Sequence, residues 1–131
     1  MPKSMLPFLM FQGDGSAALD FYLSVFPDAQ VEQLDRHTEE DGPPVGMIKM
    51  ARVTIAGQTV MLTDSPIKHA FTFTPSTSLF VECESEEEVR RLSDTLKQDG
   101  AEMMPVGSYG FSRLFAWVAD RFGVSWQINF T

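Results

Sequence analysis

The chain is poor in cysteine and in positive charge and has no long apolar run, and each scarcity closes off a class of function. Its single cysteine, Cys83, cannot form an internal disulfide or build a thiolate metal cluster, so the thiol content gives no argument for secretion. Ten basic residues stand against eighteen acidic ones, a net charge of −8. Nucleic acid and anionic membrane surfaces are repelled by that balance. No stretch reaches the roughly 18 apolar residues of a membrane-spanning helix. Met1-Pro2-Lys3 leads into a strand-like segment and not into a signal peptide's apolar region. The expectation is a cytoplasmic protein with small-molecule or protein partners, no nucleic acid and no membrane.

Core-forming material is plentiful. Of 131 residues 44% are apolar, enough for one domain with a substantial core. Met5 to Phe11 is apolar almost throughout, as in a strand covered on both faces, and stops at Gly13-Asp14-Gly15. A helix follows, capped by Asp14 or Ser16, with Ala18, Phe21, Tyr22 and Val25 at helical spacing and Pro27 as its stop. Ala29 to Arg36 reads as a strand, and the polar run His37 to Pro44 as a mobile loop. Met47 to Ile55 and Gln58 to Thr63 form a strand pair around Ala56-Gly57, and Ser65 to Pro75 is a connector. Ser78 to Cys83 is a further strand. Ser85-Glu86-Glu87-Glu88 is a capping box opening a helix with Val89, Leu92 and Leu96 inward and Gly100 past its end. Ala101 to Val106 and a hairpin, Leu114 to Val118 with Val124 to Phe130 around Asp120 to Gly123, complete the order.

That order is strand, helix and three strands, twice over. The pairs Pro7 and Ser78, Asp14 and Ser85, Phe21 and Leu92, and Val25 and Leu96 share one offset of 71 residues. A repeated βαβββ unit predicts an α+β fold in which each helix covers one face of a small sheet and the other face curls toward a cavity. In the last strand Ser125, Gln127 and Asn129 share one parity, Trp126, Ile128 and Phe130 the other. The polar row is exposed to water or lines a pocket.

Three segments carry a resemblance: Asp120-Arg121-Phe122-Gly123-Val124-Ser125-Trp126-Gln127, Pro7-Phe8-Leu9 through Ala18-Leu19-Asp20-Phe21-Tyr22, and Ser78 to Val89. Together they resemble the PhnB-like branch of the vicinal oxygen chelate superfamily, which often bears the name 3-demethylubiquinone-9 3-methyltransferase-like. The resemblance spans nearly the whole chain. It implies a single glyoxalase-fold domain over residues 1–131, with module one at about 5–66 and module two at about 76–131 cupping a central cleft, and a homodimer.

Enzymes of that superfamily hold a divalent metal with His, Glu or Gln from the first and fourth strands of each module. Carried onto this chain, those positions are Pro7, Met61, Ser78 and Gln127. Proline offers no side-chain donor, methionine suits soft metals and serine is a weak ligand, so Gln127 stands alone. Adding Glu82 gives two oxygen ligands, too few for tight binding. No cofactor is expected. The remaining inventory describes a pocket for a small apolar or mixed-polarity ligand, with apolar walls at Leu9, Phe11, Met61, Phe80 and Trp117 and polar points at Thr59 or Thr63, Ser78, Glu82, Gln127 and Asn129. Eight methionines and eleven phenylalanines are also sufficient to fill the cavity as core. Glu82 and Gln127 are the catalytic candidates, Glu82 as a general base if buried among aromatics. The other functions in view are a metal-dependent lyase, isomerase or dioxygenase, the methyltransferase of the family name, and a structural dimerisation module.

Four other residues and one loop have alternative roles. His69 sits in the connector, where it gates the cavity or makes a structural contact, and His37 lies in the polar loop. Cys83 is a small buried hydrophobe or, beside a base, a nucleophile. Arg113 is an anion clamp or a surface ion pair. Gly13-Asp14-Gly15-Ser16-Ala17-Ala18 fits G-x-G-x-x-A, with Glu32 19 residues beyond Gly13. Strands and not alternating helices follow it, so helix entry is the better reading.

Overall fold

The computed structural model describes residues 1–42 and 44–131; Pro43, in the expected mobile loop, lies outside the described residues. The chain divides into two compact units, Met1–Ala70 and Phe71–Thr131.

In the first unit β1 (Phe8–Phe11) is followed by α1 (Gly15–Val25), β2 (Gln30–Arg36), a 3₁₀ turn (Glu39–Asp41), β3 (Ile48–Ile55) and β4 (Gln58–Asp64). The strands form one sheet in the order β1-β4-β3-β2, with β1 parallel to β4 and the other pairs antiparallel. Every residue of β2 is exposed, as befits a sheet edge. β1 is the other edge, shorter than the apolar run suggests, with Met5 and Phe8 exposed and not covered on both faces. Within the polar run the Thr38 and Asp41 side chains form a reciprocal capping box, and Lys49 Nζ lies 3.0 Å from Asp41 Oδ1.

The second unit repeats the plan with β5 (Ser78–Glu82), α2 (Glu86–Leu96), β6 (Ala101–Gly107), β7 (Leu114–Ala119) and β8 (Ser125–Phe130), in the order β5-β8-β7-β6. Both helices begin and end 71 residues apart. Ala18 and Val89, Tyr22 and Ser93, and Val25 and Leu96 are equivalent buried pairs. Phe21, expected inward, is half-buried, and Leu19 takes the inward place.

The two helices are capped by different means. Ser85 Oγ accepts the amide of Glu88, and Glu88 Oε1 accepts that of Glu84, so α2 closes locally. Asp14 occupies the corresponding position in α1 but its side chain makes no capping bond. The buried carboxylate of Asp64, at the end of β4, accepts the amides of Gly13 at 2.9 Å and Gly15 at 3.0 Å instead. A Cβ on Gly15 would lie 2.7 Å from that carboxylate, so the approach requires glycine. Asp64 also shows which face α1 covers: the one carrying Val60 and Leu62, two and four residues earlier on β4. In the second unit α2 packs on β7 and β8. Its Val89, Leu92 and Leu96 are buried, as are Val81, Ala116, Val118, Trp126 and Ile128 on the sheet. Each such large apolar side chain contributes about 1.5–3 kcal/mol.

Candidate functional site

With alternate β8 residues committed to α2, Ser125, Gln127 and Asn129 turn to the opposite face. Strand register aligns them there with Ser78, Phe80 and Glu82 of β5 and with Ala119, Trp117 and Phe115 of β7. The polar row does not stand free. Ser125 Oγ accepts the indole N–H of Trp117 at 2.8 Å and lies 2.7 Å from Ser78 Oγ, which accepts from Gln127 Nε2 at 3.2 Å. Asn129 Nδ2 donates to the Glu82 carboxylate at 3.1 and 3.4 Å. Ser125 and Asn129 are buried, Trp117 and Gln127 half-buried, and Phe80 and Glu82 exposed. Fixed polar groups beside aromatic surface can orient a bound molecule.

Six of the ten expected lining residues thus share one face of the second sheet: Ser78, Phe80, Glu82, Trp117, Gln127 and Asn129. Thr59 and Met61 lie in the first unit, on the face away from α1, and Thr63 shares their parity. Leu9 and Phe11 do not join them. Leu9 pairs with Leu62 and Phe11 with Asp64, which places both on the α1 face, opposite Met61. The expectation that all four line one surface is corrected by that register: Phe8 and Met10 align with Met61 and Thr63 instead. Composition singled out neither Phe115 nor its ring neighbour Phe111, with centroids 4.9 Å apart; Tyr109, before the hairpin, joins them at 6.1 Å from Phe115. The aromatic spacing Tyr109-x-Phe111 next to the hairpin was the available signal.

The remaining candidates have structural partners. The backbone N–H of His69 donates to Gln12 Oε1 at 2.8 Å and its Nε2 lies 3.0 Å from Ser65 Oγ, tying down the segment after β4. His37 is held through its backbone, by Met47 and Gly46. The Arg113 guanidinium lies 5.4 Å from the Phe130 ring centre, on the parity of Trp126 and Ile128 and not on the polar face. Cys83 is buried beside α2, and burial first, then the negative charge of Glu88, push its thiol up to about 12. Burial and that charge favour the protonated, weakly nucleophilic form of the thiol. A surface hollow of about 430 Å³ lined by Ser85, Glu87, Glu88 and Arg91 sits at the start of α2, away from the polar row. The loop Gly13 to Ala18 has its amides at Gly13 and Gly15 occupied by Asp64, which takes both glycine amides away from a phosphate.

The four metal positions do not fit a hard divalent ion. The Pro7 carbonyl accepts the amide of Met61 at 2.9 Å, the Met61 thioether is soft, and Ser78 and Gln127 are hydrogen-bonded to each other. Among the described residues no group of three or more His, Cys, Asp or Glu is placed to hold a metal.

The family described as 3-demethylubiquinone-9 3-methyltransferase matches residues 3–129. The chain belongs to that family, in the PhnB-like branch of the vicinal oxygen chelate superfamily. A PhnB protein of Bacillus cereus is 42% identical, with a TM-score of 0.92 over 98% of this chain and 100% of its own. Protein YjdN of Escherichia coli K12 is 28% identical, covering 98% of this chain and 95% of its own. The fosfomycin resistance protein FosX of Listeria monocytogenes, 14% identical, superposes with a TM-score of 0.71 over 98% of this chain and 94% of its own. At that identity FosX speaks for the fold alone. The paired βαβββ units of this PhnB-like chain are therefore a glyoxalase-like α+β fold, as the repeat predicts. No helix among the described residues is long and apolar enough to cross a membrane.

Proposed function

We propose that this PhnB-like protein binds a small organic ligand of mixed polarity, without a metal, on the face of the second sheet turned away from α2. The observation that carries the reading is the juxtaposition, on one face, of exposed Phe80 and half-buried Trp117 with Gln127, Glu82 and Asn129 held by cross-strand hydrogen bonds. Aromatic surface supplies affinity and the fixed polar groups supply orientation. Methyl transfer, which the family name denotes, is not the reading we favour. Among the described residues both sheets are mixed and the Gly13 and Gly15 amides are taken by Asp64, unlike the parallel strands and free glycine loop of the adenosine-cofactor architecture.

Two measurements test the proposal. Elemental analysis of protein purified without chelator gives less than stoichiometric divalent metal; one equivalent of manganese, nickel, iron or zinc overturns metal independence. A melting-temperature screen against small metabolites finds ligands that raise stability in wild type and lose the effect in Phe80→Ala, because a ligand selective for the folded state stabilises it. We further propose a homodimer, a reading supported by the exposed edge strand β2; a monomer mass by light scattering at micromolar concentration overturns it.

A further inference from the structure

Asn129 is 5% exposed, and its Oδ1 is buried without a hydrogen-bond partner while its Nδ2 reaches both oxygens of Glu82. The orientation of the amide is not free: turned over, it would set its oxygen against a carboxylate. Glu82 therefore holds Oδ1 facing away from itself, as an acceptor awaiting a donor. Glu82 is exposed, receives only neutral donors, Asn129 and, at 3.5 Å, Thr131 Oγ1, and is in no ion pair among the described residues. Around this acceptor pair lies aromatic surface. Phe115 is the register partner of Asn129 on β7. Phe111 packs edge-on against it, Tyr109 touches both rings, and Phe111 and Tyr109 are 61% and 41% exposed. Phe80, 55% exposed, precedes Glu82 by two residues on the same face.

Resting on the ligand-binding reading above, we infer that the ligand of this face is an organic cation bearing at least one N–H, a protonated amine on an apolar or aromatic body. The amine N–H groups complete Asn129 Oδ1, its charge neutralises Glu82, and ring faces favour a cation held against them. A carboxylate or phosphate ligand meets repulsion from Glu82 and from the chain's net charge of −8. That same charge draws cations inward.

The test uses the full ¹⁵N-labelled chain titrated with benzylammonium, benzyl alcohol and phenylacetate, which share a ring and differ in charge. Benzylammonium is expected to give saturable shifts at the Asn129 side-chain amide and the backbone amides of residues 80–82 and 111–115, and to bind about tenfold more tightly than the alcohol. Glu82→Gln abolishes that preference, and Phe80→Leu weakens the ammonium more than the alcohol; both positions are exposed, and unchanged spectra elsewhere show the fold retained. If the alcohol or the carboxylate binds this face as tightly as the ammonium, or if Glu82→Gln keeps the preference, the cation inference fails while the ligand-binding reading stands. If none of the three probes moves these resonances, both fail.

Discussion

The carboxylate of Asp120 and the indole of Trp126 are joined, Oδ2 accepting from Nε1 at 2.9 Å, with both side chains almost fully buried. The other oxygen, Oδ1, accepts the amides of Phe122 at 2.9 Å and Val124 at 3.0 Å, and Gly123 takes the positive φ of 92° that closes the turn. The Asp-Arg-Phe-Gly-Val-Ser-Trp run that carries the resemblance is thus a brace for the β7–β8 hairpin. It holds β8 in the register that presents Ser125, Gln127 and Asn129 together.

Asp120→Asn is expected to cost about 2–3 kcal/mol, since an amide that keeps the two backbone donors must point its NH₂ at the indole N–H. Trp126→Phe removes the donor and keeps most of the packing, at about 1–3 kcal/mol. The double variant should fall short of the sum by about 0.5–3 kcal/mol, the coupling of groups in direct contact. Urea midpoints at constant slope measure all three, and additive losses would contradict the brace.

Asp64→Ala is expected to destabilise the first unit more than a surface carboxylate deletion, by about 2–4 kcal/mol. Two amides at the head of α1 lose their acceptor and the helix loses a negative charge at its positive end. Asp14→Ala, at the same helix start, should change stability by less than about 0.5 kcal/mol because its side chain makes no capping bond. Thermal unfolding of both variants decides between the distant cap and the local one.

The contrast between those two aspartates shows where the sequence was readable. Helix ends follow from local signals, so Ser85 with Glu88, and the 71-residue offset, were visible in the text. Asp64 lies about 50 residues from the amides it caps, and no local pattern encodes such a contact. Strand phase behaved the same way. In β8, polar and apolar residues alternate, so the face of Gln127 and Asn129 could be read. Met5 to Phe11 is apolar at nearly every position, which carries no phase, so only register shows that Leu9 and Phe11 lie on the α1 face. The aromatic group of Tyr109, Phe111 and Phe115 depends on a loop folding back on β7, which periodicity does not describe.

Gly100→Ala should be among the most damaging single-methyl additions in the second unit. A Cβ at Gly100 would meet the Ala119 carbonyl oxygen at 2.1 Å and the Asp120 carbonyl carbon at 2.8 Å, and backbone cannot step aside as a flexible side chain can. A loss of about 2–3 kcal/mol is expected from overpacking. Gly110→Ala, also on a loop but with open space around its Cβ, carries only the strain of its φ of 95° and should lose about 1–2 kcal/mol. Chemical denaturation of the pair would refute the steric argument if Gly110→Ala proved the worse.

Cys83 should respond to alkali in a way that separates its burial from the rest of the protein. Its thiol is pushed up from 9.0 to about 12, by burial first and then by the negative charge of Glu88. Below pH 9 the thiol is protonated in the folded and unfolded chains alike, and the protonated form favoured by the fold contributes its full stability. Between about pH 9 and 12 the unfolded chain loses that proton while the folded chain keeps it, so stability falls as pH rises. Cys83→Ala removes the titrating group, and the variant should lose less stability than wild type over that window, although lysines and tyrosines titrate equally in both. In the native protein at pH 8 a disulfide reagent such as dithionitrobenzoate should label the thiol only at the rate of unfolding, because the reactive thiolate is both scarce and covered. Labelling as fast as that of a free thiol would show Cys83 ionised and accessible, and would restore it as a candidate nucleophile.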